Sequence, residues 1–213
     1  MVIAIDGPAG AGKSTVAKEI ARRTGMYYLN SGNFYRAVTW LVIHAQIDPQ
    51  NREAIIQLAE ALRLEIRDGR LFINGIDVED QLHTDQVDEW VAEHSAISRV
   101  REIVNANLKK VSESLNVVVE GRDITTVVFP EAEVKVYLDA SLDIRAKRRY
   151  TQGLSALSLE DLKQNIIKRD KIDKSKAFGG LKIANDAIYL DTSDLTIDEV
   201  CERVIAKIHK IAG

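Results

Sequence analysis

Gly7-Pro8-Ala9-Gly10-Ala11-Gly12-Lys13-Ser14-Thr15 is the stretch that decides the fold. It follows the pattern G-x-x-x-x-G-K-[ST], in which backbone amides cradle phosphate groups. Directly before it lies Val2-Ile3-Ala4-Ile5, an apolar run short enough for a buried strand. Directly after it, Val16-Ala17-Lys18-Glu19-Ile20-Ala21 reads as a helix. Strand, loop and helix in that order are the context the pattern requires. The three glycines open dihedrals closed to other residues and bring N–H groups close to an anion. The helix N-terminus adds about half a positive charge. The loop from Gly7 to Thr15 is therefore expected to hold a nucleoside triphosphate. Lys13 is expected at its β- and γ-phosphates, with the Ser14 hydroxyl on Mg2+. The loop alone leaves open where the phosphate goes.

The whole chain sets the bounds. Its 213 residues suit one domain with an inserted subdomain. Hydrophobic content of 46% and charged content of 29% are those of a soluble globular protein. A net charge of −3 argues against bulk nucleic-acid binding, which needs a broad basic surface. The single cysteine, Cys201, rules out an internal disulfide and fits a reducing compartment. There is no apolar run near the ~20 residues of a membrane span, and the N-terminus lacks the pattern of a signal peptide. A cytoplasmic protein is expected, without membrane or nucleic-acid partners. Monomer is the default, because no apolar stripe is left over for a partner.

Along the chain, Tyr27-Tyr28-Leu29 is a short strand candidate, followed by Asn30-Ser31-Gly32 and a helix around Phe34 to Ala45. Ser31 is the expected N-cap of that helix, and Asp48-Pro49 stops it. Asn51 to Leu62 reads as another helix, with Ile55, Leu58, Ala59 and Leu62 on one face. The period then changes. Leu64–Arg67, Leu71–Ile73 and Ile76–Val78 are separated by Asp68-Gly69 and Asn74-Gly75, strong hairpin signals that predict a three-stranded antiparallel meander. Two helices follow, roughly Thr84–Ala96 and Ser98–Ser114.

Strands resume at Val117-Val118-Val119 and Val134–Leu138. The first runs into Glu120-Gly121-Arg122-Asp123 and the second into Asp139. A helix from about Leu142 to Thr151 and a second starting at Ser158 precede a last strand, Ala187–Leu190. Thr196 and Glu199 form a capping box for the final helix, whose stripe Val200, Val204, Ile208 and Ile211 reads as core.

Strands alternating with helices give an α/β fold, here a P-loop three-layer sandwich around a parallel sheet of about five strands. Residues 1–35 and 116–213 are assigned to the core, with a helical lid at about 145–176. Residues 36–115 are assigned to an inserted, acceptor-binding subdomain that carries the meander. Ligands are expected at the carboxyl ends of the strands, where Asp6, Asn30-Ser31, Glu120, Arg122-Asp123 and Asp139 collect.

Two cationic segments narrow the chemistry. Arg145, Lys147, Arg148 and Arg149 lie on one helix, and Lys168, Arg169, Lys171, Lys174 and Lys176 on the next. Beside a phosphate loop such a pair suits a lid that excludes water and neutralises charge during phosphoryl transfer. Arg169, Asp173 and Lys176 share one helix face, as do Arg145 and Arg149. By spacing alone, Asp173 either orients a basic neighbour or substrate amine, or makes an ordinary helical ion pair. Arg122, at a strand end, is suited to grip a phosphate with its planar fork. Ser31, Arg36 and Arg101 are candidate acceptor contacts. The histidines at 44, 83, 94 and 209 show no ligand spacing.

Taken together, these pieces resemble bacterial cytidylate kinases over essentially the full chain. The matching residues are Ile5–Ser14, Leu29–Gly32 with Tyr35-Arg36, and Val100-Arg101. They continue with Glu120–Asp123 and Val127–Pro130, Leu138–Ser141, Arg148-Arg149, Arg169-Asp170 with Asp173, and Asp186-Ala187 with Leu190–Thr192. The resemblance implies transfer of the ATP γ-phosphate to CMP or dCMP with Mg2+. It implies that Ser31, Arg36, Arg101, Arg122, Asp123, Arg169, Asp173 and Lys176 surround the acceptor, with Arg36 and Arg122 on its phosphate. It also implies that Lys13, Arg122 and the lid residues Arg148 and Arg149 act on the transferring group.

This chain departs from the family pattern at four positions. Asn30 stands where Asp is usual, Ala92 where a serine is associated with the cytosine, Thr125 where glycine is common, and Lys176 where arginine is usual. The Ala92 change removes one neutral hydrogen bond, worth about 0.5–1.5 kcal/mol. These departures bear on base preference, not on phosphoryl transfer. The alternatives are a kinase for another monophosphate such as UMP or for a small acceptor, and a nucleotide-dependent switch without acceptor chemistry.

Overall fold

The computed structural model describes residues 1–67, 69–153, 157–175 and 179–212. In chain order the elements are β1 (Val2–Asp6), α1 (Lys13–Thr24), β2 (Tyr27–Asn30), α2 (Ser31–His44), α3 (Arg52–Glu60), β3 (Leu64–Arg67), β4 (Arg70–Ile73), β5 (Ile76–Asp77), α4 (Asp85–His94) and α5 (Ser98–Ser112). After them come β6 (Val117–Gly121), a π-helical turn at Ile124–Val128, β7 (Val134–Asp139), α6 (Leu142–Thr151), α7 (Leu159–Ser175), β8 (Ile188–Asp191) and α8 (Ile197–Ala212). The chain divides into two compact units, Met1–Leu29 with Asn116–Gly213, and Asn30–Leu115.

The first unit is built on a parallel sheet of order β2-β6-β1-β7-β8. Its inner strands are almost wholly apolar because both faces are covered; Ile3, Ala4, Ile5, Val117, Val118 and Val119 have no exposed surface. α1 presents Val16, Ala17, Ile20 and Ala21, and α8 presents Val200, Cys201, Val204 and Ile208, to one continuous core with the strands. Ile211 does not belong to that stripe. It is exposed, because α8 outruns the core by a turn. The Thr196–Glu199 capping box is formed: Glu199 Oε2 accepts from the Thr196 amide at 2.8 Å, and Thr196 Oγ1 accepts from the Glu199 amide at 3.3 Å.

Register places the strand ends. Asp6 lies level with Gly121 on one side and Tyr137 on the other. The segments that follow, Gly7 onward and Arg122 onward, therefore leave the sheet at the same end, the carboxyl end of their parallel strands.

The second unit packs α2 against α3, α4 and α5 and adds the antiparallel meander β3-β4-β5. Leu64 pairs with Ile73 and Ile66 with Leu71, so one face of the hairpin is apolar and inward. Asn74 and Gly75 both take positive φ, as a two-residue hairpin turn requires. Asn30, not Ser31, caps α2: its Oδ1 accepts from the Gly32 amide at 2.9 Å. Asn30 is still extended at the end of β2, so its short side chain can reach an amide two residues on. Ser31 is already the first helical residue.

Candidate active site

The phosphate loop is shaped by close approach. A Cβ on Gly7 would sit 2.0 Å from the Leu138 carbonyl oxygen of β7, so only glycine lets the chain leave β1 there. Gly12 precedes α1 in the left-handed conformation, and the first-turn amides of α1 have no capping side chain. Ser14 and Thr15 are exposed, whereas Lys13 is buried. Lys13 Nζ donates to the Pro8 carbonyl across the loop at 2.9 Å. Burial lowers the Lys13 pKa to about 7. The positive charges of Arg122 and Arg169 push the same way, and Glu120 and Asp6 oppose them. A buried lysine among other cations is a strong attractor for an incoming polyphosphate, which restores its proton.

Asp6, the last residue of β1, was legible only as a polar strand end. It is fully buried and organises the next loop. Its carboxylate accepts from the Ile124 amide at 3.0 Å, the Thr125 amide at 2.7 Å and the Thr125 hydroxyl at 2.6 Å. Burial raises the Asp6 pKa, and nearby Asp123 adds to the rise; the donors from Thr125 and Ile124 pull it down. The π-helical turn that starts after Asp123 is anchored in this way, which fixes where Arg122 and Asp123 leave β6. Thr125, a departure from the family pattern, supplies two of the three bonds, one of them through the side-chain hydroxyl that glycine would lack. The available signal was an acidic residue ending an otherwise apolar strand.

Arg122 Nε donates to Asp173 Oδ2 of α7 at 2.8 Å. Asp173 is buried and pairs with a cation on a different element. Asp123, next to Arg122 in sequence, is buried, and its carbonyl accepts from the Val127 and Val128 amides. Arg169 is exposed on α7, close enough for its charge to act on Lys13. Lys176 lies outside the described residues.

The arginines of α6 have separate fates. Arg145, expected on a cationic lid face with Arg149, is buried instead. It bonds the carbonyls of Ala140 and Ala9, each at 3.0 Å. Burial there is tolerated because Asp170 supplies an opposite charge at 2.7 Å. Arg148 is half-buried and donates to Thr192 Oγ1 at 2.9 Å and to the Thr192 carbonyl at 2.6 Å. Thr192 in turn donates to the Asp139 carbonyl, which tethers the loop after β8 to the end of β7. Arg149 is half-buried on the same helix.

In the second unit, Ser31 is buried at the start of α2. Arg36 donates to the Leu82 carbonyl at 2.9 Å and pairs with Asp88 at 2.5 Å. Arg101 is buried over the Tyr35 ring, 5.5 Å from its centroid, and donates to the Ser95 carbonyl at 3.3 Å. Ala92 is exposed on α4.

No group of three or more His, Cys, Asp or Glu side chains placed to hold a metal occurs among the described residues. The exposed Ser14 hydroxyl at the start of α1 is a donor of the kind that fits a Mg2+ ion shared with phosphate oxygens. Among the described residues, no helix is long and apolar enough to cross a membrane.

The family model for cytidylate kinase matches residues 3–210. A cytidylate kinase of Borrelia duttonii (strain Ly) is 38% identical over 210 residues, covering 96% of each chain. One from Caldanaerobacter subterraneus subsp. tengcongensis is 41% identical over 211 residues, covering 98% of this chain and 94% of the relative. A shikimate kinase structure from Bacteroides thetaiotaomicron superposes with a TM-score of 0.51 at 14% identity, covering 98% of each chain; it shares the fold. With the family matched across nearly its whole length and the phosphate loop built as its residues require, this chain belongs to the cytidylate kinase family.

Proposed function

We propose that this chain transfers the γ-phosphate of ATP to CMP or dCMP, giving ADP and CDP or dCDP. The observation that carries the reading is the full-length family match, joined to a phosphate loop whose buried Lys13 feels the positive charges of Arg122 and Arg169. The attacking atom is a phosphate oxygen of the acceptor. It is already anionic at neutral pH, so no protein general base is required. Catalysis then rests on alignment and on stabilising charge.

Residues Gly7 to Thr15 would hold the donor phosphates, with Lys13 at the β- and γ-groups. Mg2+ would enter with the nucleotide and be held by Ser14, supplying charge neutralisation at the phosphates. Arg122, kept in orientation by Asp173, would hold the acceptor phosphate, with Arg36 as its counterpart in the second unit. Ser31, Arg101, Asp123, Arg169, Asp173 and Lys176 complete the proposed acceptor set, and Arg148 and Arg149 are proposed to reach the transferring group. Arg148 donates to Thr192, so that role requires it to exchange partners.

Acceptor screening tests the reading. With ATP and Mg2+, ADP release is expected to accelerate on adding CMP or dCMP and much less on adding AMP. Release that is slow and indifferent to every monophosphate would identify a nucleotide switch and overturn the proposal. UMP is the informative intermediate, because Ala92 offers no hydroxyl where the family associates a serine with the base.

A further inference from the structure

Arg145 lies in the first turn of α6, within the cationic run 145–149, yet its guanidinium goes inward. Only 7% of its surface is exposed. Nε donates to the Ala140 carbonyl at the start of the α6 approach, Nη1 donates to the Ala9 carbonyl in the phosphate loop, and Nη1 pairs with Asp170 Oδ2 of α7. The loop is pressed directly onto this residue. A Cβ on Gly10 would meet both the Cβ and the carbonyl oxygen of Arg145 at 3.0 Å.

A trans peptide is planar, with its C=O and N–H pointing in opposite directions. Holding the Ala9 carbonyl toward Arg145 therefore holds the Gly10 N–H away from it. Gly10 sits at φ +80, where glycine changes conformation at little cost, so the Ala9–Gly10 peptide would flip easily if it were not tied down. Loop amides bind phosphate only if they stay aimed. The tie reaches further. Asp170 and Asp173 are three residues apart on α7; the first holds Arg145 and the second holds Arg122. The other Asp170 oxygen is buried without a hydrogen-bond partner among the described residues, so the ion pair with Arg145 is the interaction that keeps this carboxylate in place.

We propose that Arg145 is a positioning residue that clamps the Ala9–Gly10 peptide of the phosphate loop, and that Asp170 makes this clamp depend on the pose of α7. The inference rests on the reading of Gly7–Thr15 as the site for donor phosphates.

Calorimetric titration with ADP, without acceptor, tests it independently of acceptor identity. Arg145→Lys keeps the charge but loses the fork, and is expected to weaken ADP binding about tenfold. Asp170→Asn leaves both carbonyl contacts possible and is expected to weaken it about threefold. Val204→Ala, a core truncation in α8, lowers the melting temperature and is expected to leave ADP affinity unchanged. ADP affinity within about twofold of the unsubstituted chain in Arg145→Lys overturns the clamp. So does an equal loss in Val204→Ala, which would mark the effect as general destabilisation. Should Arg145→Lys not fold, unchanged affinity in Asp170→Asn overturns the proposal. An unsubstituted chain that does not bind ADP overturns the donor-site reading and the clamp with it, whereas ADP binding without acceptor turnover touches only the acceptor.

Discussion

The phosphate loop and helix α7 handle positive charge in opposite ways. In the loop, Lys13 is buried with a backbone carbonyl as its hydrogen-bond acceptor and like charges near it, and its pKa falls to about 7. Along α7, the acids do the holding: Asp170 and Asp173 each take an arginine from another element, at 2.7 and 2.8 Å. Burial outweighs the two carboxylates near Lys13, Glu120 and Asp6, while α7 commits its carboxylates to fixing guanidinium groups. A cation left under-compensated is poised to bind an anion; a cation already paired is held in place.

Removing the under-compensated cation is the harshest way to probe that contrast. Lys13→Ala is expected to cut kcat by about a thousandfold or more, as loss of a charge that stabilises a transferring phosphate does. The melting temperature should hold or rise, because a desolvated ammonium is removed. Turnover near that of the unsubstituted chain would break the distinction.

The pH dependence is the next largest effect. Free-enzyme groups govern kcat/KM. With a Lys13 pKa of about 7, the protonated fraction falls as pH rises. Measured in ATP with CMP held well below saturation, kcat/KM is expected to decline above that pH by up to about tenfold per unit. The sign for stability is opposite. The folded pKa lies below the ordinary lysine value of 10.5, so between about 7 and 10.5 the unfolded chain binds the extra proton and ligand-free stability rises with pH from this residue. A flat kcat/KM profile between pH 7 and 9 would contradict the assignment.

The paired cation should respond more gently. Asp173→Asn leaves Arg122 charged but loosely oriented, and is expected to raise KM for CMP about five- to tenfold with KM for ATP little changed. Equal changes in both constants would mean that α7 serves the donor loop and the acceptor arginine without distinction.

Much of this was legible before any fold was known, for a local reason. The phosphate loop is a contiguous backbone motif whose glycines are required by dihedrals and by close approach, and the capping box and the Asn74-Gly75 turn are equally local. Assignments failed where a long side chain reached another element. Arg145 looked like its neighbour Arg149, and helical spacing carries no information about a carbonyl in a loop 136 residues away. The spacing of Asp173 on its own helix gave no sign of Arg122, 51 residues distant, which donates to it in the fold. Asp6 was one more polar strand end until the turn after β6 brought it three donors.

The amino-acid sequence by itself determined that a strand, a glycine loop and a helix meet in a phosphate site, and that a meander-bearing segment interrupts the sheet, because both follow from short-range sterics and hydrophobic period. Only the tertiary structure decided which charges remain to meet a ligand and which are consumed inside. That choice depends on desolvation and on partners distant in sequence, and neither is encoded in residue spacing.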